Sequence, residues 1–424
     1  MNTKFLCTIL LLLWFWVGSL GAEPNFQKID ERALRAPASL EHSLDDLVRY
    51  LCPAHYSETE KARSLFRWIA HRIVYDVEGL RTNKMGSQKA PDVLKRRRAV
   101  CEGYSRLYQA MAEKAGLQAT YITGRSHFNG QLPFALPANI QGHAWNAILL
   151  RGRWRLMDVT WAAGHVNDEG KFTPRFNDFW FSTPPEQFVF THLPETERWQ
   201  LLSAPWTAAR FDRTPRLTGH FFAYGLKLTQ GQQEPLVVTP ETVVRWPAPA
   251  DVVAISDLRD EKGLVQKGWT LTQSPHGFVE TRVRCPRPGK YTLRVYCRKR
   301  QAPWQADPKN PDSYDGVATY QVVAQKPQGP PFPSTFGTFQ RAGAELLGPH
   351  HGTLKKGARE LLRVKISGAA EVVAFSGGKI LATLKPQSGI HQAWITVPAT
   401  GTLQISARYT EEPRYWGLVD YKIQ

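Results

Sequence analysis

The hydrophobic pattern of the chain changes at about residue 206, and this change limits the folds that the chain can adopt. Before that point, apolar residues recur at the three- and four-residue spacing of amphipathic helices. After it, short β-type runs alternate with proline and glycine turns. The chain has 424 residues, more than one hydrophobic core usually organises, since domains average about 150 residues. We therefore predict an α+β domain followed by β modules.

Two segments of the first part have a strong helical pattern. One covers residues 58–75, and the other begins at Cys101 and runs to Ala115, where Gly116 ends it like a C-terminal cap. Three strand-like runs follow, at residues 119–123, 144–150 and 154–161. Helices followed by antiparallel strands predict an α+β core.

Cys101 is a candidate nucleophile because it opens a buried helix. A helix N-terminus with nearby cations stabilises a thiolate. The basic run at residues 95–98 lies just upstream, and it is either a source of positive field at the thiol or an ordinary solvated loop. A cysteine at the edge of an apolar helix face is, taken alone, more often inert core. The interpretation therefore depends on partners elsewhere in the chain.

His143 and Asp158 are the candidate partners. His143 begins the run HAWNAILL, residues 151–152 suit a two-residue turn, and Asp158 lies on the returning run RWRLMDVTW. That turn places Asp158 opposite Trp145 and makes it a diagonal neighbour of His143, about 7 to 8 Å away between backbone positions. An aspartate at this distance can fix the tautomer and orientation of an imidazole. We predict that Cys101, His143 and Asp158 act as nucleophile, base and orienter.

The segments around these residues resemble a known family. The similarity to the transglutaminase-like superfamily, especially the branch that contains kyphoscoliosis peptidase, is carried by ARSLFRWIAHRIVYD, VCEGYSRLYQAMAEKAGL, HAWNAILLRGRWRLMDVTW and FWFSTPPEQFVFTHLPETERWQLL. It extends over residues 62–202. The resemblance implies a papain-like cysteine-protease fold, and it implies the family's triad roles for Cys101, His143 and Asp158.

Two further residues are candidates for oxyanion or substrate contacts, Gln88 and Trp161. Gln88 is at a position where such cores can carry an oxyanion donor beside the Cys101 backbone amide, although an ordinary surface glutamine is the alternative. The chain also departs from that branch at two places. The branch commonly has a glycine where this chain has Ala162, and the loop at residues 126–141 is particular to this chain. Both departures leave the shape of the substrate cleft open.

The second part of the chain divides at a proline-rich linker, residues 326–336. The flanking pieces, residues 206–325 and 337–424, each have the size of a small β-sandwich. PADVVAISDL and CPRPGKYTLRVYCR in the first piece match AAEVVAFSGG and VPATGTLQISARYT in the second. We predict two β-sandwich-like modules behind a transglutaminase-like domain at residues 23–205. Neither module holds a convincing nucleophile and base, so we expect both to be accessory and separable from a core ending near Leu202.

The N-terminus has the order of a signal peptide. Lys4 precedes an apolar run at residues 5–17 and then small residues, so we expect residues 1–22 to be cleaved and the mature chain to be exported, to a periplasm, a cell surface or the medium. An uncleaved anchor is the alternative. No later segment is long and apolar enough to predict a transmembrane span.

The cysteine spacing bears on disulfides. Of five cysteines, four remain after cleavage of the signal. Residues 286–289 suit the turn of a hairpin, which would separate Cys285 from Cys297 by about 23 Å at ~3.3 Å per residue, too far for a bridge. We therefore expect no bridge between them, and a free thiol at Cys101.

Charge and motifs narrow the function classes. A formal net charge of +17 favours anionic surroundings such as a cell-envelope polymer. No motif for specific nucleic-acid recognition accompanies that charge, and no loop has the carboxylate spacing of a calcium site, so no cofactor or metal is predicted. We expect a thiol enzyme that acts on amide bonds of a protein or peptide through a thioester, as a peptidase, amidase or acyltransferase. The alternative is a non-catalytic envelope-associated binding or scaffold protein with a relic triad.

Overall fold

The computed structural model describes residues 25–127, 142–167, 169–229, 233–275, 277–300, 313–326, 329–410 and 412–424. The predicted signal peptide and most of the loop at residues 126–141 lie outside these residues. The described chain forms an α+β core followed by two units that each contain two β-sheets. This arrangement confirms the predicted fold class.

The core contains eight helices and eight strands within the described residues. Its helices are α1 (Gln27–Leu34), α2 (Leu44–Leu51), α3 (Glu58–Arg72), α4 (Val77–Thr82), α5 (Ala90–Arg96), α6 (Cys101–Lys114), α7 (Val159–Ala163) and α8 (Pro185–Phe188). Short 3₁₀ helices lie at Ala38–His42, Asp178–Trp180 and Glu197–Gln200. Its strands are β1 (Val74–Tyr75), β2 (Arg98–Ala99), β3 (Ala119–Ser126), β4 (His143–Leu150), β5 (Arg153–Met157), β6 (Gly164–Val166), β7 (Phe172–Pro174) and β8 (His192–Pro194).

Helix α6 begins at Cys101, as the apolar pattern predicts. Its buried face includes Tyr104, Leu107 and Met111, and it packs against α3 and β4. Gly103 allows the close approach of the preceding segment, because a Cβ there would lie 2.6 Å from the Ala99 Cβ. The first turn of α6 is therefore held tightly against the chain that leads into it.

The core sheet is antiparallel, with the strand order β5-β4-β3-β8. The turn between β4 and β5 has positive φ angles of 51° at Arg151 and 72° at Gly152, as a primed two-residue turn requires. It pairs Asn146 with Met157, so the predicted register is correct. The predicted strand at residues 154–161 is wrong at its end, because β5 stops at Met157. The next residue, Asp158, leaves the sheet and caps α7.

Strand β8 reaches the sheet at the edge opposite β5, beside β3. Gly124 makes this approach possible, because a Cβ at this position would overlap the Leu193 carbonyl oxygen and lie 2.5 Å from the Trp145 ring. In the resulting register Gly124 pairs with both His143 and Pro194. The start of β4 and the start of β8 are thereby brought to the same end of the sheet.

The two β modules follow the core. The first contains β9 (Arg216–Leu217), β10 (Leu236–Val238), β11 (Thr242–Pro247), β12 (Val252–Asp260), β13 (Thr270–Gln273), β14 (Phe278–Val283), β15 (Gly289–Lys299) and β16 (Asp315–Ala324), with helices α9 (Ala208–Asp212) and α10 (Gly219–Ala223). The second contains β17 (Ser334–Thr335), α11 (Gly337–Ala342), β18 (Glu345–Gly348), β19 (Thr353–Leu354), β20 (Arg359–Lys365), β21 (Ala369–Ser376), β22 (Lys379–Thr383), β23 (Lys385–Gln387), β24 (Ile390–Thr396), β25 (Thr402–Tyr409) and β26 (Glu412–Ile423).

Each module has a hydrophobic core between its two sheets, and Leu271 of the first module packs into the core of the second. The sheets of the first module have the orders β10-β16-β15-β12 and β11-β14-β13, and those of the second have the orders β17-β26-β25-β21-β22 and β18-β20-β24-β23. The matched sequence segments form corresponding antiparallel strand pairs, β12 with β15 and β21 with β25. The sequence similarity therefore coincides with equivalent positions in the two sandwiches.

The predicted hairpin around residues 286–289 is wrong. Strand β14 pairs with β11 and β13, whereas β15 pairs with β12 and β16, so the two strands lie in different sheets. The prolines at 286 and 288 have no N–H and cannot continue a ladder, which favours a crossing from one sheet to the other. All cysteines in the described part of the chain are free, namely Cys52, Cys101, Cys285 and Cys297.

An aromatic cluster joins the first module to the core. The rings of Phe179 and Phe222 stack with their centroids 5.8 Å apart, and Phe190 packs against Phe222 at 5.7 Å and against Trp206 at 4.9 Å. Helix α10 approaches closely here, because a Cβ on Gly219 would lie 2.6 Å from the Phe179 ring. The first module therefore packs directly against the core.

A chain that ends at Leu202 is therefore expected to be less stable than one that ends at Lys326, because the shorter chain exposes Phe179 and Phe190. Each partly buried aromatic ring contributes roughly 1 kcal/mol or more, and 1 kcal/mol shifts Tm by about 2–4 °C in domains of this size. Calorimetry should give a Tm at least about 5 °C lower for the shorter chain. Equal Tm values would support a core that is separable near Leu202.

Candidate active site

Cys101 is half-buried at the first residue of α6. The chain before it is held by the parallel pairing of β2 with β1. Gln88 adds a second restraint, because its Oε1 accepts a hydrogen bond from the Val100 N–H at 3.1 Å. The main-chain N–H groups of the first helical turn have no partner within the helix. The thiol therefore lies beside main-chain N–H groups that are held in place and have no partner within the helix.

His143 and Asp158 are in direct contact. The His143 Nε2–H donates to Asp158 Oδ2 at 2.6 Å, and both side chains are buried, with Asp158 fully inaccessible. Cys101 is close enough to His143 to raise the pKa of that histidine. Since Nε2 is occupied by Asp158, Nδ1 is the ring nitrogen left for the thiol. The structure thus brings together the three residues predicted from the sequence.

The charges in this group shift both pKa values. Burial alone would lower the pKa of His143, but the Asp158 carboxylate, its hydrogen bond and Cys101 raise this pKa to about 10. Burial alone would raise the pKa of Asp158, but the charge and hydrogen bond of His143, with help from His192, hold it well below its usual range. The favoured state is an imidazolium beside a carboxylate.

Asp158 is also the N-cap of α7. Its Oδ1 accepts the Trp161 N–H at 2.9 Å, and its own N–H donates to the Trp180 carbonyl at 3.0 Å. This capping explains why the chain leaves the sheet after Met157. The carboxylate is consequently fixed by its own backbone as well as by its partners.

His192 is a residue of this group that the sequence reasoning did not identify. Its Nε2–H donates to Asp158 Oδ2 at 3.0 Å, and its Nδ1 lies 2.8 Å from Thr191 Oγ1. Burial lowers the pKa of His192 to about 4 despite the nearby carboxylate. The run FVFTHLP contains this histidine, but the pairing of β8 with β3 that brings it to Asp158 has no local sequence signal.

Trp161, the predicted substrate contact, covers the two histidines. Its ring centroid lies 5.2 Å from that of His143 and 4.5 Å from that of His192, and it meets the Trp180 ring edge-on at 4.9 Å. Ala162, which replaces a common glycine, is fully buried behind it. The Trp161 ring therefore limits the access of water to the His143–Asp158 pair.

The other predicted residues have contacts of their own. The Gln88 Nε2–H donates to the Gly86 carbonyl at 2.6 Å, which leaves one hydrogen of the amide for another acceptor. In the basic run at residues 95–98, Arg97 pairs with the buried Glu41 at 2.7 Å and Arg98 lies 3.6 Å from Asp76. These charges are directed at acidic partners, which favours a structural role for the run.

The side chains of His143, Asp158 and His192 were also considered as metal ligands, since their ligand atoms lie within 4.8 Å of one another. Both imidazole Nε2 atoms point at the same carboxylate oxygen, at hydrogen-bond distance. Ligands of a metal ion would instead surround a common centre about 2 Å from each. The geometry fits a hydrogen-bond network better than a metal site.

One cavity borders this group of residues, and a second lies at Tyr75. One, of about 500 Å³, lies between the core and the first module and is lined in part by Trp161, Trp180 and Thr191. The other, of about 610 Å³, is lined in part by Tyr75 and Phe172. The charge of Cys101 contributes to the pKa of Tyr75, which burial raises well above its usual range.

Comparisons with known proteins agree with the fold. Residues 46–159 match the model of the transglutaminase-like superfamily, and residues 208–335 match that of the KY-like, immunoglobulin-like domain. This protein therefore contains a transglutaminase-like domain followed by an immunoglobulin-like domain. The predicted resemblance to the kyphoscoliosis peptidase branch is confirmed.

The most informative relatives are longer proteins. Mouse kyphoscoliosis peptidase is 33% identical over 202 residues, which are 47% of this chain and 30% of the relative. Hillarin of Drosophila melanogaster is 25% identical over 337 residues, which are 72% of this chain and 40% of the relative. A crystal structure of a TGase is 18% identical, with a TM-score of 0.23, and the match covers 38% of each chain. The chain spans less than half the length of these curated relatives.

Among the described residues, no helix is long and apolar enough to cross a membrane.

Asp158→Asn is expected to lower the pKa of His143, because the amide no longer stabilises the imidazolium while burial still favours the neutral ring. The pKa should fall from about 10 to below the ordinary 6.5. NMR titration of the ring in histidine-labelled protein measures this. An unchanged titration of His143 in the variant would contradict the pairing.

Proposed function

We propose that this protein is a thiol enzyme that acts on amide bonds of proteins or peptides, with Cys101 as nucleophile, His143 as base and Asp158 as orienter. The observation that carries the proposal is the buried His143 ring, which is hydrogen-bonded to Asp158 at 2.6 Å and close enough to Cys101 for that residue to raise its pKa. The transglutaminase-like match over residues 46–159 includes all three residues. Together they supply a nucleophile, a proton carrier and a fixed counter-charge.

The reaction would proceed in two balanced steps. Cys101 Sγ attacks the amide carbon, the C–N bond breaks, and the proton on His143 passes to the departing amine, which leaves a thioester. Water or an amine then attacks the thioester, gives its proton to His143, and releases the thiolate. The negative charge that develops on the carbonyl oxygen is stabilised by main-chain N–H groups at the start of α6. Gln88 is the proposed second donor, through its remaining amide hydrogen.

The other cysteines in the described part of the chain are poor nucleophiles. Burial raises the pKa of Cys52 to about 12, with a small opposing effect from Lys61, and raises that of Cys285 to about 11. Burial, together with Asp315, also raises the pKa of Cys297. These thiols stay protonated at neutral pH, which supports Cys101 as the reacting residue.

The acceptor decides the reaction class. Attack by water makes the protein a peptidase or amidase, and attack by an amine makes it a crosslinking acyltransferase. Product analysis on a glutamine-containing peptide, with and without an added primary amine, distinguishes them. Release of ammonia without incorporation of the amine indicates hydrolysis at the side chain, and cleavage of the peptide indicates a peptidase.

Export of the mature chain is a separate proposal, supported by the order of residues 1–22. The net charge of +17 supports an anionic cell-envelope polymer as a partner. N-terminal sequencing of the exported protein tests the first point, and the expected new N-terminus lies near Glu23. Retention of Met1 in the exported protein would favour an uncleaved anchor.

Cys101→Ala is expected to abolish turnover without unfolding the protein, because it removes the bond-forming atom and little volume. Asp158→Asn should reduce turnover by about 10³- to 10⁴-fold, because the imidazole loses its oriented tautomer. Cys52→Ala is the matched control and should keep wild-type turnover. Rates are measured on amide and glutamine peptides, with circular dichroism as a check on folding. Wild-type turnover by Cys101→Ala would refute Cys101 as the nucleophile, whereas a total lack of turnover and thiol reactivity in the wild type would favour a non-catalytic scaffold.

A further inference from the structure

Asp158 accepts three hydrogen bonds and has no exposure to solvent. Trp161 N–H binds Oδ1, whereas His143 and His192 both bind Oδ2 through Nε2. Because water cannot reach the carboxylate, these donors alone determine its orientation. One of them, His192, has no assigned part in the proposed reaction.

We propose that His192 is a positioning residue, whose imidazole donates a permanent hydrogen bond to Asp158 and so holds the carboxylate in the orientation that His143 needs. This inference rests on the proposed function. His192 does not touch the reacting thiol in this arrangement, and it acts only through Asp158.

The hydrogen positions on His192 follow from its partners. An ionised carboxylate only accepts, so the proton lies on Nε2. In the neutral ring Nδ1 is then an acceptor, 2.8 Å from Thr191 Oγ1, and the hydroxyl hydrogen of Thr191 is shared between Nδ1 and the Phe188 carbonyl, which is 3.1 Å from Oγ1. Burial lowers the pKa of His192, and the charge on His143 lowers it further. His192 therefore stays a neutral donor in the pH range in which His143 is charged.

Aromatic packing holds the His192 ring in place. The ring stacks on Phe188 with a centroid distance of 4.0 Å and an interplanar angle of 23°. Trp145 meets it edge-on at 4.9 Å, and Trp161 lies 4.5 Å away. Because aromatic rings pack on these sides and Thr191 lies beside Nδ1, the His192 ring is held with its Nε2–H directed at Asp158.

The titratable groups around Asp158 come from four elements. His143 belongs to β4, His192 to β8, Cys101 to α6 and Tyr75 to β1. Burial raises the pKa of Tyr75 well above its usual range, so Tyr75 remains uncharged. A change in the pH dependence on substitution of His192 therefore reports on the Cys101–His143–Asp158 group.

Two substitutions separate the hydrogen bond from the packing. His192→Gln keeps an N–H at a similar reach from the backbone, whereas His192→Phe keeps an aromatic ring on Phe188 and loses the donor. His127→Phe is the matched control, because His127 is also a histidine with a pKa lowered by burial, to about 4, and stacked on a phenylalanine. It makes no hydrogen bond to Asp158 among the described contacts.

The measurement is the rate of carbamidomethylation of Cys101 by iodoacetamide between pH 5 and 9, located by peptide mapping. His192→Phe should slow the reaction at pH 6 by about 10- to 100-fold, because a displaced carboxylate no longer supports the imidazolium that stabilises the thiolate. The acid limb of the profile should move to higher pH. His192→Gln should recover most of this loss, and His127→Phe should react like the wild type.

Two outcomes would overturn the proposal. One is a wild-type profile in His192→Phe. The other is an acid limb that moves to lower pH, since this would mean that His192 only withdraws charge from the carboxylate. If His192→Phe does not fold, Thr191→Val provides the same test, because it removes the hydroxyl that favours the Nε2–H tautomer of His192. The rate of alkylation of Cys101 should then fall by about 3- to 10-fold, with the acid limb moved to higher pH. An unchanged profile there would equally overturn it.

Asp158→Asn separates this inference from the proposed function. If the wild type and Asp158→Asn have the same profile, the orienting role of Asp158 fails and the proposed function fails with it. If Asp158→Asn slows alkylation and His192→Phe does not, only the positioning role of His192 fails.

Discussion

The buried carboxylate of Asp158 is the interaction on which the rest of the site depends. A charged group without solvent contact costs several kcal/mol unless partners compensate it, and here three donors do so. Those donors come from β4, β8 and α7. One side chain thus caps a helix and joins two strands, and it is the proposed orienter of His143. Removing the whole side chain would disturb the local fold and the chemistry together. Substitutions that remove only its charge, such as Asp158→Asn, or only one of its donors, such as His192→Phe, are therefore more informative.

The two histidines on this carboxylate have opposite pKa shifts. Asp158 raises the pKa of His143 to about 10, whereas burial dominates at His192 and lowers its pKa to about 4. The stabilisation from His143 is complete below its ordinary pKa of 6.5 and is lost as pH rises through 10. That from His192 is complete above 6.5 and is lost as pH falls toward 4. The site therefore stabilises the fold most near pH 6.5, and the same asymmetry allows one ring to carry the proton while the other stays a fixed donor.

Local patterns were sufficient for part of this site and not for the rest. The helix start at Cys101 and the register of the β4–β5 hairpin follow from apolar spacing and from the turn at residues 151–152, because each is determined within a few residues. Asp158 leaves the strand because its side chain caps α7 by accepting the Trp161 N–H, and this capping competes with continuation of the strand. The position of His192 depends on the contact of β8 with β3, which is possible because glycine at position 124 has no side chain. The sheet change at residues 286–289 likewise depends on which sheets are present to receive the strands.

In the proposed reaction, Cys101 forms a covalent acyl intermediate on an amide substrate. Acid quenching of the protein with a glutamine-containing peptide, followed by mass spectrometry of the intact protein and of its Cys101 peptide, detects such an intermediate. We expect an adduct on Cys101 with the mass of the peptide acyl group, lost on treatment with hydroxylamine and lacking in Cys101→Ala. Turnover of the peptide without any adduct at Cys101, or with an equal adduct in Cys101→Ala, would contradict the proposed reaction.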